Sequence, residues 1–85
     1  MNEHAKRRTE AFAKFDELYS TLNGVEVVFR DKDGFLLKVS APSIVYLLSY
    51  IDVVIEKIES IGFSCLDQTI DSDNCFAQLP FTFDP

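Results

Sequence analysis

The stretch Ser43-Ile-Val-Tyr-Leu-Leu-Ser-Tyr-Ile-Asp-Val-Val-Ile-Glu-Lys-Ile-Glu-Ser-Ile61 decides how the rest of the chain is arranged. At about 100° per residue, Ile44, Leu47, Leu48, Ile51, Val54, Ile55, Ile58 and Ile61 fall on one broad stripe. Ser49, Asp52, Glu56, Glu59 and Ser60 fall opposite, so the stretch reads as one amphipathic helix. Val45, Tyr46 and Val53 lie outside the stripe, and Tyr46, Tyr50 and Val53 follow one another at i, i+4, i+7 along its flank. A helix on a sheet needs one buried stripe. The flank is therefore surplus apolar surface, to be covered by a neighbouring helix, a second copy or a partner.

Upstream, residues 2–22 contain neither Gly nor Pro, and Ala11, Phe12, Phe15, Leu18, Tyr19 and Leu22 mark a second helical stripe that Asn23-Gly24 stops. Extended backwards this stripe meets Arg8, Ala5 and His4, so residues 1–10 are expected to overhang the core or fray. Between the helices, Val25, Val27, Phe29 and then Phe35, Leu37, Val39 alternate with polar or mixed neighbours around Asp31-Lys32-Asp33-Gly34, a turn sequence. This is a β-hairpin. Val28 and Leu36 on its other face imply that the second side of the sheet is not fully wet.

Ser40 or Ser43 is expected to supply the N-cap of the Ser43–Ile61 helix, with Pro42 tolerated in the first turn because no helical donor is lost there, and Gly62 to end it. Phe63 to Ile70 and Cys75 to Phe81 are expected to form a second hairpin closed by Asp71-Ser72-Asp73-Asn74, weakened at Asp67-Gln68-Thr69. Pro80 lacks a donor, so the last strand is expected to end there or lie at an edge, leaving residues 81–85 as a tail. The order α-β-β-α-β-β predicts a two-layer α+β sandwich, an antiparallel sheet of three to four strands with both helices on one face. Residues 1–85 then form a single domain, in which the Ser43–Ile61 stripe covers Val25, Val27, Phe29, Phe35, Leu37 and Val39.

Composition narrows the function classes. A chain of 85 residues buries only roughly 60–65% of the surface its unfolded form exposes. With 47% hydrophobic residues and eight Phe it is too apolar to be disordered. Eight Lys plus Arg against fourteen Asp plus Glu give a net charge of −6, which opposes direct binding to nucleic-acid phosphates and favours a basic protein partner. Charge is also uneven: residues 1–14 carry four basic side chains and two acids, whereas residues 15–85 carry four basic and twelve acidic ones. Lys6, Arg7 and Arg8, flanked by acids, are a weak nucleic-acid footprint. Two cysteines make no disulfide framework, and the polar first ten residues hold no secretory core, so a cytoplasmic setting is expected. The Ser43–Ile61 helix is interrupted by Ser49, Asp52 and Glu56, well short of the ~20 apolar residues of a membrane span.

Motifs for chemistry are missing. His4 lies far in sequence from Cys65 and Cys75, which lack Cys-x-x-Cys spacing and suit strands as small apolar residues. An EF-hand loop starting at Asp71 would need Gly where Phe76 stands and Glu where Thr82 stands. The isolated Gly24, Gly34 and Gly62 form no phosphate cradle, and Asp52, Glu56 and Glu59 lie on a helix face with no apolar pocket to separate their pKa values. No metal, cofactor or enzymatic activity is expected. In composition alone the chain resembles the small acidic inhibitors and immunity proteins that neutralise nucleases or other basic enzymes, and phage anti-defence proteins. The expectation is an interaction protein that binds and masks a basic partner, with Tyr46, Tyr50, Val53, Asp67, Asp71 and Asp73 as contacts. The alternative is a homodimeric accessory or assembly protein that buries the Tyr46-Tyr50-Val53 flank.

Overall fold

A computed structural model describes residues 3–83. The elements run α1 (Glu3–Tyr19), β1 (Val25–Arg30), β2 (Gly34–Ser40), α2 (Ile44–Glu59), β3 (Phe63–Cys65), β4 (Thr69–Asp71) and β5 (Phe76–Phe83). All strand pairs are antiparallel, in the order β1-β2-β5-β3, and β4 also pairs with β5. The molecule is the expected α+β sandwich with both helices on one face, but the sheet holds five strands rather than three or four. Its core joins Ala11 and Phe15 of α1 and Leu47, Ile51, Val54 and Ile58 of α2 to Phe35, Leu37, Val39, Ala77, Leu79 and Phe81 of the sheet.

Helix α2 starts where Ser43 turns from an extended backbone and its hydroxyl accepts the Tyr46 amide at 3.2 Å. Ser43 is thus the cap, and Pro42 stands just before it, outside the first turn. Gly62, at a φ of 114°, follows the last turn. Leu48, placed on the stripe by its angle, is exposed. It lies on the flank that also carries Glu59, whose carboxylate accepts the β3 amide of Cys65 at 3.3 Å.

The first hairpin departs from simple alternation. Val27 faces Leu37, but Phe29 faces Leu36 and Arg30 faces Phe35, so Val28 is an extra residue, a β-bulge. One inserted residue reverses every side chain beyond it. Phe29, expected on the covered face, is turned to the open face and stays 59% exposed. Arg30 is turned towards the helices, where its guanidinium meets Asp16 at 2.7 Å and lies 4.8 Å from the Phe12 ring. The bulge thereby helps to seat α1.

Gly34 opens β2 because nothing larger fits: a β-carbon there would collide with the Phe81 carbonyl oxygen of the neighbouring strand. Asp31 shapes the turn ahead of it, accepting the amides of Asp33 and Gly34, both at 2.8 Å. Around Phe35 gather Phe12, Phe15, Phe63 and Phe81, with the Phe15 ring stacked 4.0 Å from Phe35. Phe83 joins through Phe63, and His4 packs edge-on to Phe83 at 5.3 Å. The amino end of α1 therefore has one aromatic hold, although the side chains before Ala11 are otherwise largely exposed.

The second hairpin forms with its weak point where Asp67-Gln68 predicted it. The Leu66 amide donates to the Pro80 carbonyl at 2.8 Å, while Thr69 faces Gln78, so Asp67 and Gln68 together stand opposite Leu79. Pro80 corrects the expectation of a strand end. It lies inside β5, which pairs on both sides and runs on through Phe83. A strand residue directs its N and C=O to the same side, so the missing Pro80 donor points to the place where the outer edge is interrupted. Residues 81–83 are thus strand, with Phe81 buried and the Phe83 amide bonded to the Asp33 carbonyl at 2.7 Å. Residues 84–85 of the expected tail lie outside the described residues.

Candidate interaction surfaces

The flank of α2 is where the sequence places its first candidates. Tyr46, Tyr50 and Val53 stand together, with the two tyrosine rings 6.0 Å apart and a shallow groove lined by Tyr46, Ser49, Tyr50 and Val53. Helix α1 leaves Tyr46 and Val53 exposed, while Tyr50 is half-buried against the core. Only Tyr50 is tied down, its hydroxyl donating to the Asn23 carbonyl at 2.8 Å in the loop after α1. Tyr46 remains 57% exposed and Val53 44%. Asp52 and Glu56 project from the same helix into solvent, giving its outer surface an apolar strip with carboxylates nearby.

The three aspartates do not form one cluster. Asp67 is exposed at the interruption of the outer edge. Asp73 is exposed in the β4–β5 turn, which lies at the same end of the sheet as the start of α2 because the Ala41 amide bonds to the Cys75 carbonyl at 3.1 Å. Asp71 is engaged within its own turn. One oxygen accepts the amides of Asp73 and Asn74, both at 3.1 Å, and the other accepts the Asn74 side-chain amide at 2.9 Å. These bonds, led by the Asn74 side chain, hold the Asp71 carboxyl below the usual carboxylate range.

A surface that the sequence reading only touched on is the open side of the sheet. Phe29 stands opposite Leu36, Leu36 opposite Pro80, and Leu66 bonds to Pro80 from the far side. These four make an unbroken apolar row across the sheet, with Phe29 59% and Leu66 55% exposed at its ends. Glu26, Lys38, Gln78 and Thr69 form the next row, and Lys38 reaches over the Phe76 ring at 4.6 Å. Six of the eight phenylalanines build the aromatic core; the other two, Phe29 and Phe76, are on this open face. Val28 and Leu36 hinted at it in the sequence. The bulge that delivers Phe29 has no local sequence signal.

Burial and the neighbouring Glu59 carboxylate push the Cys65 thiol up, away from the thiolate that a nucleophile requires. Cys75 sits in the β4–β5 turn with a φ of 54°. Basic side chains around the open depression between α1 and the first hairpin are largely matched: Arg8 meets Asp33 at 3.1 Å, and Arg30 meets Asp16. Arg7 lies 3.7 Å from Glu3. Among the described residues no group of three or more His, Cys, Asp or Glu could hold a metal ion, and no helix is long and apolar enough to cross a membrane. Compared with protein-family models, curated proteins and solved structures, the chain matches none.

Proposed function

We propose that the protein is a non-enzymatic binding module that acts by occupying the surface of a basic protein partner, as an inhibitor or masking subunit does. The observation that carries this reading is the α2 flank, where Tyr46 and Val53 are left exposed on either side of a half-buried, hydrogen-bonded Tyr50. Tyrosine suits such a role because it offers a large apolar face and a hydroxyl with few rotatable bonds to freeze. Asp52 and Glu56 along the same helix, with Asp73 beyond its amino end, supply the field that attracts a basic partner and orients it on approach. Asp71 contributes its charge there while shaping the turn that presents Asp73.

Affinity capture tests the reading, using wild-type, Tyr46→Ala and Val53→Asp chains as baits in extract from the native cell. A basic protein retained by wild type and lost with both variants is the expected result. Retention unaffected by either change would remove α2 as the contact surface.

A further inference from the structure

We infer that the open face of the sheet is a self-association surface, on which a second copy of this chain packs sheet against sheet. The proposal is independent of the basic partner, because it uses the opposite side of the molecule from the α2 flank.

The apolar row Phe29, Leu36, Pro80, Leu66 spans every column of the sheet, and no element of the described chain lies over it. Both edges of the sheet are poor templates for pairing. β1 is kinked by the Val28 bulge, and the outer edge is interrupted at residues 66–68. Irregular edges block the strand-to-strand docking that a flat edge invites, so association is directed to the face.

Charge selects the occupant. In an isologous contact each surface meets its own copy, so any net charge on it is opposed to itself. The helix layer is poorly suited to that, since Asp52, Glu56 and Glu59 outnumber Lys57 on α2. On the open face, Glu26 and Lys38 stand directly opposite each other on neighbouring strands and cancel. Asp71 keeps its charge but stands at the margin, with its carboxylate turned to the donors of its own turn. In a molecule of net charge −6 the middle of this face thus carries no net charge, and its acids, Asp67 and Asp71, are confined to the outer margin. That is the face a second, equally acidic copy can approach.

Size sets the strength. Four columns at about 4.8 Å spacing and strands of seven or eight residues give a contact on the order of 1,000 Å² counted over both copies, at the low end for a specific interface. The dimer is therefore reversible, with sheets about 10 Å apart and both α2 flanks facing outwards.

Sedimentation equilibrium of the full chain from about 1 µM to about 500 µM is the test, since weak dimers dissociate within that range. The expected result is a mass that rises towards twice the monomer in wild type and in Tyr46→Lys. Phe29→Lys and Leu66→Lys, both at exposed positions, stay monomeric while keeping the wild-type circular dichroism spectrum. A wild-type mass fixed at the monomer overturns the proposal, as does a dimer that survives both sheet-face changes. Methyl resonances give a check that needs no variant. Those of Leu36 and Leu66 shift with protein concentration while that of Val54, buried under α2, does not; shifts confined to Val45 and Val53 would place the contact on the helix and overturn the proposal.

Discussion

Cys75 holds a left-handed backbone conformation that a non-glycine residue adopts only at a cost of about 1–3 kcal/mol. Replacing it with glycine removes that cost and adds about 0.5–1 kcal/mol of unfolded-chain entropy. Cys75→Gly is therefore expected to stabilise the domain by about 1 kcal/mol and raise its melting temperature by roughly 4–8 °C in a calorimetric scan. A lower melting temperature would mean that the half-buried thiol contributes more than the backbone loses. Asp71 makes a prediction about acid. Its carboxyl titrates below its unfolded value, so its contribution is fully present above the ordinary carboxylate range near ~3.9 and is lost as pH falls through the lowered value. Asp71→Asn should lose less stability than wild type in urea titrations compared at about pH 6 and about pH 2. Equal losses would show that the turn does not depend on the ionised form. The Cys65 thiol, raised by burial and Glu59, should react slowly with alkylating reagents in the native state and readily once unfolded.

Among the elements, α1 depends most on residues distant in sequence. Its seat is the aromatic cluster around Phe35 together with Arg30, which reaches Asp16 and the Phe12 ring only because the Val28 bulge reverses it. A partly exposed ion pair and a cation–π contact each give up to about 1 kcal/mol, so Arg30→Ala should lower the unfolding free energy by up to about 2 kcal/mol, read from the shift of the urea midpoint. A change within experimental error would show that the aromatics alone hold the helix. Both helices, the first hairpin and the weakness of the outer strand were legible in the sequence because each depends on local periodicity or turn chemistry. The bulge was not. It places two residues against one on a partner strand, and Val28 carries no Gly or other local mark of that choice. Pro80 misled for a related reason: its missing donor is harmless in a middle strand when the neighbouring edge is broken opposite it, and that pairing is a property of the assembled sheet. The sequence identified the tyrosine flank but could not say whether α1 would cover it, since that depends on how the aromatic cluster angles the helix.

On the scale of the whole molecule, charge is divided by surface. Helix α2 and the turn after β4 are acidic, with Asp52, Glu56, Glu59, Asp71 and Asp73 against Lys57, while α1 matches its acids with as many bases and the middle of the open face balances Glu26 against Lys38. That division assigns a basic partner to the α2 flank and a second copy to the sheet. It also makes the two contacts separable, because Phe29 and Tyr46 lie in different layers. The most direct measurement of the account is the association rate between the captured partner and the Phe29→Lys variant as ionic strength is raised from about 0.05 M to about 0.5 M. The account predicts that the rate falls at least tenfold as the screening length shortens, with a further loss of affinity in Val53→Asp. A rate that is flat with salt, or an affinity indifferent to Val53, would contradict it.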